Sequence, residues 1–132
     1  MAGKIIADQI EHSTAGSLDT SYVVNGSAKV WVNFTGITTT ASRDSFNVSS
    51  LTDDGTARTT IAISSNMADG NYTGSWFQNG TFLGAYNNFN NAYGGNFAPR
   101  AAGSYSVHAF GTDTSGAVDA FYNDSTIFGD LA

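Results

Sequence analysis

The sequence predicts an all-β protein, an antiparallel β-sandwich of the jelly-roll kind preceded by an extended N-terminal arm. Three observations predict it. Apolar residues recur at every second position in several short runs, the mark of strands with one buried face. No segment carries a sustained apolar stripe at the helical spacing. Turn-forming residues punctuate the chain closely, and about eight short strands separated in this way fit a sandwich or jelly roll. The order of the strands within the sheets is not encoded in these patterns.

Composition agrees. Hydrophobic residues make up 41 % of the 132-residue chain, enough for one domain with its own core and against wholesale disorder. Charged residues make up only 12 %, about half the usual share, and Ser, Thr, Asn and Gly take their place. Hydroxyls and amides solvate outer sheet faces, while Gly and Asn supply the positive φ that turns require.

Taken in order, residues 1–21 read as an arm or linker that anchors the chain, with Ile5, Ile6 and Ile10 as its strong apolar residues and a small-residue stretch from Ser13 to Ser21. A first strand followed by a loop is the other reading of the same segment. Residues 22–132 read as the sandwich domain. In Lys29 to Phe34, Val30, Val32 and Phe34 share one face and Lys29, Trp31 and Asn33 share the other. Arg43 to Ser49 repeats the alternation, with Phe46 and Val48 expected inward. Thr59 to Ser64 alternates through Ile61 and Ile63. Between these two runs, Thr52-Asp53-Asp54-Gly55 is a turn of the Asp-Gly type.

From Gly74 to Gly84 a hairpin is expected. Asn79-Gly80 tolerates the two positive φ angles of a type I′ turn, and this register sets Phe77 against Phe82. Ser104 to Thr112, Val118 to Asn123 and Ser125 to Leu131 read as later strands. Residues 85–98 differ from their surroundings: Asn87, Asn88, Asn90, Asn91 and Asn96 are interspersed with Tyr86, Phe89, Tyr93 and Phe97, an insertion between strands.

Charge excludes some function classes. The formal net charge is −6, with five Lys and Arg in all, so phosphate backbones and anionic membranes would be repelled rather than bound. The absence of cysteine leaves no disulfide frame, thiolate zinc site or cysteine nucleophile and fits folding in a reducing cytoplasm. The first residues do not form a secretory signal, and no apolar run is long enough to span a bilayer. Membrane insertion is therefore not expected.

Candidate chemistry is sparse. Asp53 and Asp54 are adjacent, so on an extended chain they point apart, whereas general acid–base pairs converge on one substrate atom. They read as turn residues. Asp113-Thr114-Ser115-Gly116 offers oxygen ligands without the spacing or terminal Glu of a calcium loop. His12 and His108 are isolated histidines, fewer than the three or four ligands zinc takes, although three copies of His108 could meet on the axis of a trimer. No nucleophile elbow, phosphate loop or dinucleotide fingerprint is present. Asn25, Asn33, Asn47, Asn71, Asn79 and Asn123 open glycosylation triplets, which an Asn-, Ser- and Thr-rich chain generates by chance. No catalytic residue, metal ligand or cofactor is therefore assigned.

Two contact candidates remain. In the aromatic-Asn insertion, Tyr86, Phe89, Tyr93 and Phe97 could stack on the C–H faces of sugars while Asn88 and Asn91 fork to hydroxyl pairs. The same aromatics could instead anchor the loop on its own domain or on a neighbouring subunit. Trp31, opposite the inward residues of its strand, offers apolar area with one N–H donor and so suits an interface, unless a second sheet covers it.

Three stretches carry a resemblance: Glu11-His12-Ser13-Thr14-Ala15-Gly16-Ser17, Tyr22 through Phe34, and Arg43-Asp44-Ser45-Phe46-Asn47-Val48-Ser49-Ser50. With the acidic turn at Thr52 to Gly55 and the ending Ile127 to Ala132, they resemble a family of small tail-fibre-like or virion structural proteins of marine and environmental bacteriophages. The resemblance covers roughly residues 5–65 and the last few. It departs from the family pattern at Thr35-Gly36-Ile37-Thr38-Thr39-Thr40, where the family often has a Gly-Thr-Gly turn, and in the aromatic-Asn insertion. It implies a non-enzymatic virion protein, made in the host cytoplasm and released by lysis, whose partners are other virion proteins and a host surface glycan. By analogy with phage fibres it implies a homotrimer. A capsid decoration protein and a carbohydrate-active enzyme are the alternative readings.

Overall fold

A computed structural model of the chain describes Gly3, residues 5–79, 100–108 and 119–132. The architecture is all-β and antiparallel, with one short helix among the described residues.

Strict alternation builds the centre of the molecule. In β3 (Val30–Thr35), Val30, Val32 and Phe34 are buried and Trp31 lies on the opposite face. In β6 (Arg58–Ile63), Thr59, Ile61 and Ile63 are buried. β3 belongs to a four-stranded sheet with β4 (Ala41–Phe46), β9 (Tyr122–Phe128) and β7 (Thr73–Asn79), in the order β4-β3-β9-β7. β6 is central in a three-stranded sheet between β5 (Val48–Asp53) and β8 (Ser104–His108). Inward residues of both sheets form one cluster, in which Trp76 and Ile127 meet Ile61, Tyr105 and Val107. Full burial of each such side chain stabilises the fold by about 1.5–3 kcal/mol. The Tyr105 hydroxyl bonds the Ser125 hydroxyl, tying the two sheets across this core.

The acidic turn forms as the sequence predicts and joins β5 to β6. Asp53 Oδ1 accepts from Gly55 N at 2.9 Å, and Asp54 N donates to Arg58 O at 3.0 Å. Gly55 takes φ +109°, a value that glycine adopts without strain.

Several expectations need correction. Arg43 to Ser49 is not one strand. The chain leaves one sheet at Phe46 and enters the other at Val48, pivoting on Asn47 with φ +58°. Phe46 is therefore 54 % exposed rather than inward, while Val48 packs against the core. Asn is among the few residues that adopt this left-handed conformation readily. Its side chain also satisfies the corner: Nδ2 donates to Lys29 O and Ser65 O, each at 3.0 Å, and Oδ1 accepts from Ser65 N at 2.7 Å. Nor does the chain from residue 119 to residue 131 form the two expected strands, because β9 runs unbroken through residues 122–128 between β3 and β7. For the hairpin expected around Asn79-Gly80, β7 is present as its first strand, but the turn and the partner Phe82 lie outside the described residues.

Residues expected to be an extended arm contain regular structure. β1 (Gln9–His12) and β2 (Gly16–Asp19) form a two-stranded antiparallel hairpin, and α1 (Thr20–Gly26) follows without a break. Residue 21, where the arm is expected to end, lies within α1. The helix starts where Asp19 Oδ1 accepts from Ser21 N at 2.8 Å, an N-cap that satisfies one of the first-turn donors. That bond to the backbone amide of Ser21 holds the Asp19 carboxyl below its usual pKa.

Candidate functional site

Between the two sheets the described residues leave little room for chemistry. A small cavity lies between the sheets, lined among others by Trp76, Asn123, Asp53 and Asp119, with a volume of about 10 Å³. That is space for about one water and no substrate. Trp76 Nε1 is buried there without a hydrogen-bond partner among the described residues. Both carboxylates at its edge are engaged with backbone amides, Asp119 Oδ1 accepting from Ala57 N at 2.7 Å and Asp53 from Gly55 N. Their geometry is that of turn and loop fasteners.

Tyr72 and Tyr105 are the titratable groups most shifted in the core. Burial pushes the Tyr72 hydroxyl up to about 12, against the opposing charge of Arg100. Burial raises Tyr105 further still, only partly offset by its bond to Ser125. These shifts fit structural roles: Tyr72 donates to Ser104 O at 2.9 Å, and the two rings meet edge-to-face at 6.3 Å. His108, on the outer face of the three-stranded sheet, is lowered by burial and by Arg58, with Asp54 acting the other way. Among the described residues no three His, Asp or Glu side chains gather where they could hold one metal ion.

Two surfaces stand out instead. The first is the N-terminal element, residues 5–26. Its strands are wholly exposed and its helix buries nothing, yet it carries a row of large apolar side chains. Ile5 is 94 % exposed and Ile6 83 %, and with Ile10, Val23 and Val24 they line an open apolar groove of about 500 Å³. The structure thus brings the three expected anchoring residues together and adds Val23 and Val24 from α1.

The second surface is the outer face of the four-stranded sheet. Register places Trp31 opposite Phe46 on β4, and sets Asn33 between Asp44 on β4 and Asp124 on β9, with Phe77 next to Asp124 on β7. Asn33 Nδ2 donates to the Asp124 carboxylate. A register shift in β4 between the partners of Asn33 and Phe34 brings in Arg43. Its guanidinium donates to Phe121 O at 2.6 Å and to Asn33 Oδ1 at 3.4 Å. It also stacks on the Phe121 and Tyr122 rings, 4.7 and 4.4 Å from their centroids. Trp31 is 36 % exposed here, on the open side of its sheet.

Alternation in the sequence sets Asn33 beside Trp31 on this face, but not the residues that join them from β4, β7 and β9. Only the register between strands unites those with Trp31. The contact loop assigned to Tyr86, Asn88, Phe89, Asn91, Tyr93 and Phe97 lies outside the described residues. Among the described residues no helix is long and apolar enough to cross a membrane. Comparison of the chain with protein families, with curated proteins and with solved structures finds no match.

Proposed function

We propose that this chain is a non-enzymatic structural protein of a bacteriophage particle, assembling as a homotrimer through residues 5–26 and presenting its sheets to a neighbouring surface. The observation that carries the reading is the N-terminal element, which has regular structure, no buried residue and a continuous apolar side. An isolated two-stranded hairpin and a seven-residue helix are each marginal in water, so such an element gains stability chiefly by covering that side. Ile5, Ile6, Ile10, Val23 and Val24 are all exposed and line one groove, a side that a second copy of the chain could cover. The net charge of −6 disfavours an anionic lipid as the cover. The virion assignment rests on the resemblance at residues 11–17, 22–34 and 43–50.

Sedimentation equilibrium of the full chain tests the assembly. A trimer is expected, and Ile5→Ser/Ile6→Ser should shift it to monomer. A wild-type chain that stays monomeric at high micromolar concentration overturns the self-association. Imaging of particles with the subunit labelled tests the virion assignment, and its absence from purified particles overturns that.

A further inference from the structure

We propose that the outer face of the four-stranded sheet is a binding platform for an uncharged oligosaccharide, with Trp31, Phe77 and Tyr122 as stacking surfaces and Asn33, Asp124 and Asp44 as hydroxyl partners. The proposal rests on the contact role in the reading above and is independent of the N-terminal assembly.

Sugar rings present C–H faces that pack on aromatic rings, and hydroxyls that pair with planar amides and carboxylates. The platform supplies both in alternation. From the Trp31 row to the Tyr122 row it extends about 13 Å along the strands, and its four strands span about 14 Å, so it matches a short oligosaccharide. The polar middle is already organised before any ligand arrives. Asn33 is held by Asp124 and Arg43, and Arg43 clamps the Phe121–Tyr122 edge-to-face pair, whose centroids are 4.7 Å apart. A preformed site loses less freedom on binding.

Charge selects among ligands. Asp44 and Asp124 outnumber Arg43 on this face, and the Arg43 guanidinium is occupied by Phe121 O and two rings. Sulfated, phosphorylated or uronic polymers would meet net repulsion. Hydroxyl donors suit carboxylate acceptors, whereas a protein cover would draw on the aromatic and Arg content of the face, and the quenching comparison below separates the two.

The chain has two tryptophans, and only Trp31 is exposed, so its emission reports on the platform directly. The full-length Trp76→Phe protein, which keeps an aromatic ring in the core, is titrated with malto-, cello- and chito-hexaose and with a sulfated oligosaccharide. At least one neutral hexaose should shift Trp31 emission saturably, and saturation-transfer NMR on the wild type should show its C–H protons contacting the protein. Phe77→Ala and Asn33→Ala, both at solvent-facing positions, should each weaken that binding tenfold or more without changing the sedimentation behaviour. Three results overturn the proposal: no response to any neutral hexaose, preference for the sulfated probe, or protection of Trp31 from acrylamide quenching in the trimer but not in the Ile5→Ser/Ile6→Ser monomer. The last would make the face a subunit interface. Loss of sugar binding with the trimer intact, or the converse, separates this proposal from the assembly reading.

Discussion

The N-terminal element and the two sheets are built from similar residues and are held in opposite ways. In the sheets, Val30, Val32, Phe34, Ile61, Trp76 and Ile127 are at most 2 % exposed and share one core. In residues 5–26, Ile5, Ile6, Val23 and Val24 have comparable apolar side chains, and none of them is buried. Backbone hydrogen bonds and a cap are enough to shape a hairpin and a helix. They are not enough to stabilise them, since each hydrogen bond contributes only about 0.5–1.5 kcal/mol net. The difference separates a region that folds on its own core from one whose stability depends on what it touches.

Trp76→Ala should show the contrast most strongly. Removing this fully buried ring leaves a cavity between the sheets and should cost about 3–5 kcal/mol, a large part of the 5–15 kcal/mol typical of a domain. Urea unfolding followed by far-UV circular dichroism measures it. Ile5→Ser/Ile6→Ser, read below the assembly concentration, should stay within about 0.5 kcal/mol of the wild type. Equal losses in the two proteins would abolish the distinction between the regions.

Asn47→Ala should come next. It removes three hydrogen bonds at the corner where the chain crosses between sheets and leaves alanine at φ +58°. About 2–4 kcal/mol should be lost, and Asn47→Gly should recover the backbone share while leaving the hydrogen-bond loss. If both variants match the wild type, the corner is held by something other than this side chain.

The alkaline limb of the stability curve should draw on the core between the sheets. Tyr72 and Tyr105 titrate near 10 in the unfolded chain and higher in the folded one, so unfolding favours proton release. Their contribution is complete below pH 10 and is lost as pH rises, Tyr72 through about 12 and Tyr105 beyond it. Tyr72→Phe should flatten the fall in unfolding midpoint between pH 10 and 12. An unchanged slope would mean that the ring is hydrated in the folded protein.

Where alternation is strict the fold is legible in the sequence, as at Val30 to Phe34 and Thr59 to Ile63, because a pleated strand with one buried face has no other pattern. The acidic turn is legible for a similar reason: Asp-Gly chemistry is local. Legibility fails where long-range partners decide. The stretch from Asn123 to Thr126 looks too polar for a central strand, yet Asn123 is satisfied by Ala120 O and Ser125 by the Tyr105 hydroxyl. Asn47 hides in a run whose alternation continues through it, so the change of sheet leaves no trace in the periodicity. Of the candidate surfaces, Ile5, Ile6, Ile10 and Trp31 are readable as apolar residues in exposed contexts. The Asn33–Asp124 pair and the Arg43 clamp depend on register between distant strands, which a single sequence does not carry. The cap at Asp19 leaves no mark in the sequence pattern, because α1 lacks the buried apolar stripe that would follow a helix start.

That cap gives the smallest expected effect and the most local one. Asp19 has a lowered pKa because its carboxylate accepts from the Ser21 amide, so its contribution is present above the unfolded value of 3.8. It is lost as pH falls through the lower folded value, when the protonated oxygen becomes a poorer acceptor. Acidification should therefore fray α1 while the sheets keep their core. Chemical shifts of the Ser21 and Tyr22 amides, followed from pH 5 to pH 2 in the assembled wild-type protein, should move toward random-coil values with a midpoint below 3.8. Asp19→Asn, which keeps an acceptor but cannot titrate, should remove that transition and leave Ile61 and Val107 amides unmoved. A transition shared by both groups of amides would show that the helix and the sheets unfold together, contrary to the separation of the two regions.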